Sequence, residues 1–168
     1  SISMPRNVGQ LPVYYNHKPS LMRSYLWSET SPLYPFGHGL SYTDFEYADL
    51  KIDQTEIGVG DSLKVSCMLR NVGTREGTEV VQLYIRDTVS SVTRPVMELK
   101  DFKRADLLPG DSCRIEFVVT PEKLMMYDLD MNRRVEPGVF ELMIGSSSQD
   151  IRQRTTFIVK DTEKKNKR

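Results

Sequence analysis

From Phe45 onward, apolar and polar residues alternate with the period of half-buried strands. Phe45 and Tyr47, then Leu50 and Ile52, stand between polar neighbours, and this first run closes at Gly58 to Gly60. Leu63, Val65, Cys67 and Leu69 share one face of a second strand that Asn71-Val72-Gly73 ends. Val80 to Ile85 is nearly continuously apolar, which predicts a central strand covered on both sides or flanked by a long partner. A loop rich in Thr, Ser and Asp follows over 87–95, after which Leu99 and Phe102 mark a short strand leading to the Pro109-Gly110 turn. Cys113, Ile115, Phe117 and Val119 alternate again, and Thr120-Pro121-Glu122-Lys123 supplies an N-cap and a first-turn proline for one turn of helix. Phe140, Leu142 and Ile144 form a closing pair with Thr155, Phe157 and Val159 around Gly145-Ser146-Ser147-Ser148. Short strands at this spacing predict an all-β fold, a sandwich of immunoglobulin type with about seven strands. The inward side chains, each worth about 1.5–3 kcal/mol on burial, can offset the entropy of ordering without disulfides.

The first 44 residues read differently. Leu11 to Tyr15 reads as a short extended strand, although Pro12 removes one ladder hydrogen bond. Residues 16–31 follow neither strand nor helix period and read as a loop. Over 32–44, Pro32 and Pro35 stiffen the backbone and Gly37 and Gly39 free it locally, while Leu33, Tyr34, Phe36, Leu40 and Tyr42 make it too apolar for a flexible tether. This pattern predicts a stiff junction packed into a seam between two folded bodies, with Tyr14, Tyr15, Tyr34, Phe36, His38, Leu40 and Tyr42 as interdomain contacts. The alternative use of the aromatics is sugar stacking by Tyr25 and Trp27, joined by Tyr34, in an independent carbohydrate-binding module. A plain interaction domain is a third reading.

Several runs together resemble the C-terminal part of glycoside hydrolase family 3, the β-glucosidases and β-xylosidases. They are Pro5-Arg6-Asn7-Val8-Gly9-Gln10-Leu11-Pro12-Val13-Tyr14-Tyr15-Asn16, then Pro32-Leu33-Tyr34-Pro35-Phe36-Gly37 through Gly39-Leu40-Ser41-Tyr42. Downstream stand Asn71-Val72-Gly73, Glu79-Val80-Val81-Gln82-Leu83-Tyr84, Arg94-Pro95-Val96, Leu108-Pro109-Gly110 and Glu136-Pro137-Gly138. The resemblance implies that 1–31 is the remnant of an α/β domain with a loop and 32–44 the junction. It makes 45–160 a fibronectin type III-like sandwich and 161–168 a charged tail. It also implies a non-catalytic accessory role beside the catalytic domains of the same chain, and allows a loop to shape the cleft or a dimer contact. Similar bacterial enzymes suggest a periplasmic or secreted location. Hydrolysis in that family is retaining, with two groups about 5 Å apart. Its nucleophile lies in a Ser-Asp-Trp setting, yet here Trp27 follows Leu26, and its sugar-binding Lys-His pair is missing, since His17 precedes Lys18. No catalytic residue carries over.

Composition narrows the field further. Lys plus Arg, 23, equals Asp plus Glu, 23, so no overall field attracts nucleic acid or an anionic membrane. No apolar run approaches the length of a membrane span and no leader-like N-terminus stands here, so any targeting signal is expected upstream. Cys67 and Cys113 are expected as buried free thiols, a bridge staying open if their strands pair within about 7 Å. Asp128-x-Asp130-x-Asn132 begins like a calcium loop, but Arg133 stands at the glycine position and Val139 at that of the bidentate Glu. No metal or cofactor is expected. Ser90-Ser91-Val92-Thr93-Arg94 is the loop best placed to touch something outside the sandwich, and Lys160 to Arg168 reads as a solvated tail.

Overall fold

The computed structural model describes residues 2–19 and 29–161. Its strands are β1 (Phe45–Ile52), β2 (Glu56–Gly58), β3 (Leu63–Asn71), β4 (Gly77–Asp87), β5 (Glu98–Leu107), β6 (Ser112–Val119), β7 (Met126–Tyr127), β8 (Arg133–Arg134), β9 (Gly138–Gly145) and β10 (Ile151–Lys160). One turn of helix, α1 (Pro121–Leu124), follows the extended N-cap residue Thr120, as its proline demands. A three-stranded sheet ordered β1-β3-β6 faces a five-stranded sheet ordered β2-β10-β9-β4-β5, and β7 and β8 form a small ribbon. The core between the sheets holds Leu63, Val65, Cys67 and Leu69 from β3 against Val81, Leu83, Leu142 and Ile144 from β4 and β9.

Seven of these strands are long, in line with the alternation, and β2, β7 and β8 add two or three residues each. In β1, the inward set switches from Phe45 and Tyr47 to Leu50 and Ile52. An extra residue between Ala48 and Lys51, with Asp49 at φ 53, breaks the register against β3 and restores the inward direction. The short strand expected around Leu99 and Phe102 is a ten-residue edge strand, β5, paired with β4 from Gly77↔Leu107 to Ile85↔Glu98. Its run Asp101-Phe102-Lys103-Arg104 hides the alternation because an edge strand tolerates charge on both faces. The strand expected at Leu11 to Tyr15 does not form. A 3-10 turn occupies Val8–Gln10, and the bridge in this region joins Met4 to Tyr34 instead. Pro12 has no N–H to give a ladder. Lys160, read as the start of the tail, ends β10, with its ammonium paired to Glu56.

Asn71 explains the turn that closes β3. It is fully buried, and its Oδ1 accepts from Thr43 Oγ1 at 2.6 Å and from the Gly73 N–H at 3.1 Å. Its Nδ2 donates to the Arg75 carbonyl at 2.7 Å and the Leu107 carbonyl at 3.1 Å. The Thr43 side chain lies so close that a Cβ at Gly73 would meet its Oγ1 at 2.1 Å. Cys67 and Cys113 are free: β3 and β6 pair, but with Cys67 opposite Ile115 and Cys113 opposite Leu69.

Candidate functional site

The outer face of the five-stranded sheet is covered by the chain's own N-terminal segment. On β4 the odd residues Val81, Leu83 and Ile85 enter the core, so Gln82 and Tyr84 point the other way. Tyr84 is nonetheless fully buried, as is Met143 directly opposite it on β9. Tyr15 meets the Tyr84 ring edge-on at 5.9 Å and stacks on Phe36 at 4.2 Å, and its hydroxyl accepts from the Leu99 N–H at 3.1 Å. The Val96 N–H donates to the His17 carbonyl at 2.9 Å, and the Ser148 N–H to the Phe36 carbonyl at 2.9 Å. The nearly continuous apolar run Val80 to Ile85 is thereby accounted for on both faces.

Gln82 is the latch. Its Nε2 donates to the Gly37 carbonyl at 3.1 Å and to the Ser146 carbonyl, while its Oε1 accepts from the Tyr84 hydroxyl. Pro35 to His38 form a turn closed by the His38 N–H on the Pro35 carbonyl, with Gly37 at φ 82 in the position that needs a left-handed residue. A Cβ on Gly37 would fall 2.1 Å from Gln82 Oε1.

The seven junction residues thus divide. Tyr15 and Phe36 pack on the sandwich itself. Tyr34 stacks on His38 at 5.0 Å with both exposed, and Tyr14 is exposed. Leu40 and Tyr42 are 92% and 91% exposed, on a backbone held between the Gly37 latch and Thr43. Tyr25 and Trp27 lie outside the described residues. The 90–94 loop is tied back onto the sandwich: the Ser91 N–H bonds Glu136 at 2.8 Å and Arg94 pairs with Glu98. Asp128 closes its own turn, accepting from the N–H groups of Asp130 and Asn132 at 2.9 Å and pairing with Arg134 at 3.1 Å.

Beneath the junction lies a groove of about 770 Å³, walled by Phe36 to Ser41 on one side and by Tyr47, Glu79, Phe102 and Arg152 on the other. Arg152 makes a fork with Asp150, Nε to Oδ1 at 2.7 Å and Nη2 to Oδ2 at 2.8 Å. The Asp150 carboxyl sits below the ordinary range: burial works against this, but hydrogen bonds from Ser146 and Arg152 outweigh it. Glu79 is half-buried, and that burial holds its carboxyl above the ordinary range. Tyr47, beside it on β1, has its hydroxyl driven upward by burial and then by the nearby Glu79 charge. Gln82 and Glu79 escaped the sequence reading because polar residues in a strand look solvent-facing, and Tyr47 was legible only as an apolar position of the first strand. The one available signal was Gln82, a polar residue inside the apolar run Val80 to Ile85.

Residues 79–148 match the fibronectin type III-like domain. The chain is 41% identical over 153 residues to a β-xylosidase of Formosa agariphila, covering 89% of this chain and 21% of the relative. To a periplasmic β-glucosidase of Salmonella typhimurium it is 37% identical over 163 residues, covering 90% of this chain and 21% of that protein. The solved structure of a β-glucosidase from Erythrobacter marinus superposes with a TM-score of 0.90 at 44% identity, covering 94% of this chain and 21% of that one. The chain spans about a fifth of the length of these relatives. Sandwich and relatives agree: residues 79–148 are a fibronectin type III-like domain, set in a chain that is similar over most of its length to one part of longer β-glucosidases and β-xylosidases.

Proposed function

We propose that this chain is a non-catalytic accessory unit that docks, through its junction, on the catalytic domains of a longer retaining β-glucosidase or β-xylosidase. In this reading 1–31 continue an α/β body, 32–44 form the junction, 45–160 the sandwich and 161–168 a charged tail. The observation that carries it is the exposure of Leu40 and Tyr42, 92% and 91%, on a backbone that the sandwich holds rigid at both ends. Large apolar side chains held out in this way are the mark of a surface that another body covers. The likeness to a periplasmic enzyme supports a periplasmic or secreted setting.

Tyr42→Ala tests the docking directly. In the 168-residue chain alone it should change stability by no more than about 0.5 kcal/mol, since Tyr42 touches little there. In the full-length parent it should lower the melting temperature; an unchanged parent would sink the docking reading. Phe36→Ala separates less cleanly, because it also removes the stack on Tyr15. Aryl β-glucoside and aryl β-xyloside assays of both proteins complete the test: turnover by the parent alone supports the accessory role and identifies the sugar, and turnover by the 168-residue chain overturns it.

A further inference from the structure

The cover on the outer face of the five-stranded sheet stops short. Tyr15 and Phe36 pack over Tyr84, and Gly37 sits on Gln82, but that face continues past Gln82 onto the first half of β4 and the β5 residues opposite it. Phe102 stands directly across from Gln82 and Arg104 from Val80, so these side chains share the outer face, away from the core that Val81 and Leu83 enter. Phe102 is 62% exposed and Val80 38%, and with Leu40 they line the outward half of the groove beneath the junction. The inward half, on the Val81 side of β4, is closed on itself: Glu79 and Tyr47 hydrogen-bond each other, and Arg152 lies over the Tyr47 ring at 5.9 Å. The polar border of the outer strip also satisfies itself, since Thr78, Arg104 and Asp106 are bonded to one another. Strand addition at the middle of β5 is blocked, because the Leu99 and Phe102 N–H groups are taken by the Tyr15 hydroxyl and the Asp101 carboxylate. What is left is an apolar strip inside a self-satisfied polar rim, which is the anatomy of an interface that meets its partner face to face.

We propose that Leu40, Val80 and Phe102 seat uncharged aliphatic or aromatic side chains from the remainder of the longer chain, so that the docking surface runs from the junction onto the outer face of β4 and β5. The proposal rests on the docking reading above and names what the docked body brings. Continuity points to that occupant: Leu40 belongs to the junction, and a body that covers it meets Val80 and Phe102 across the same groove. The chain spans about a fifth of the length of its relatives, which leaves ample polypeptide to supply such a body. A segment of the same polypeptide also has the advantage of effective concentration over a second copy. A charged side chain would find its candidate partners, Arg104 and Asp106, already paired, and would be desolvated without compensation. A sugar would find its hydroxyls facing the same committed rim.

Introduced thiols test this. Phe102→Cys, Tyr42→Cys and Val118→Cys are each labelled with an uncharged maleimide in the full-length parent and in the 168-residue chain, and peptide mass separates each label from those on Cys67 and Cys113. Val118, 45% exposed on the outer face of the three-stranded sheet, is the reference. The Phe102→Cys thiol should label at least about 50-fold more slowly in the parent than in the chain alone, as a group reached only by rare opening does, while the reference keeps its rate. Equal rates for Phe102→Cys in the two proteins, or equal slowing at all three positions, would overturn the proposal. If Tyr42→Cys is slowed and Phe102→Cys is not, the strip fails and the docking reading stands; if neither is slowed, both fail. Slowing that vanishes when the parent is diluted would make the occupant a second copy, and slowing in the 168-residue chain by cellobiose or xylobiose would make it a sugar; either result overturns the proposal. Phe102→Asp gives a second measurement, since a charge in the seat should lower the melting temperature of the parent by about 3 °C or more beyond any change in the chain alone. Equal shifts in the two proteins would again count against the strip.

Discussion

Asn71 shows how much of a sandwich can hang on one polar side chain. Its carboxamide, fully buried, uses both its oxygen and its nitrogen twice, on Thr43, Gly73, Arg75 and Leu107. Its own backbone N–H and carbonyl add the Asp111 carbonyl and the Gly110 N–H, each at 3.0 Å. One residue therefore ties the end of the junction, the turn after β3, the end of β5 and the turn before β6. Truncation leaves several buried groups without partners, each carrying a desolvation cost. Asn71→Ala should destabilise the chain by about 2–4 kcal/mol in urea unfolding. A loss under 1 kcal/mol, near that of a typical single hydrogen bond, would mean that water replaces the carboxamide. The tripeptide Asn71-Val72-Gly73 was legible as the end of a strand, but nothing local reveals that its first residue reaches Thr43, 28 positions upstream.

At the scale of elements, what could be read from the sequence was whatever a period of two encodes. The change of parity from Phe45 and Tyr47 to Leu50 and Ile52 is the imprint of the β1 bulge, and the apolar run of β4 foretold cover on both faces. What escaped were elements set by position rather than by pattern: edge strand β5, with charges on both faces, and Leu11 to Tyr15, whose composition suits a strand but which forms none. The identity of the cover on β4 escaped as well, since Tyr15 and Phe36 join it only through tertiary contact. The turn at Gly37 converts that contact into a fixed junction. A side chain there meets two objections, the positive φ and the Gln82 carboxamide 2.1 Å away. Gly37→Ala should therefore cost about 1–2 kcal/mol from the backbone conformation alone, and more if Gln82 is displaced from the Gly37 and Ser146 carbonyls. A substitution without effect on unfolding would show that the latch does not bear on stability.

For the whole molecule, the question is whether segment and sandwich unfold together. The latch spreads over β4 through Gln82 and Tyr84, over β5 through the Leu99 N–H and over the β9–β10 turn through Ser146 and Ser148, so detaching the segment uncovers the outer face of three strands. Tyr84 and Met143 would then meet water, which argues for one cooperative unit. Cys67 reports on this from the opposite sheet. It is 1% exposed at the centre of β3, and burial, then the neighbouring Cys113, pushes its thiol up to about 11. Near pH 8 the reactive thiolate is thus scarce in the folded state and regains its ordinary abundance only on unfolding, so labelling tracks opening of the core. Cys113, only partly buried, should label faster. If the molecule is one unit, Gly37→Ala, which touches no residue of β3, should accelerate Cys67 labelling by about 5- to 30-fold, the factor that 1–2 kcal/mol of lost stability gives. A Cys67 rate equal to that of the unaltered chain, with faster exchange of the Leu99 and Val96 amides, would mean that the segment detaches alone, leaving the sandwich to stand without its cover.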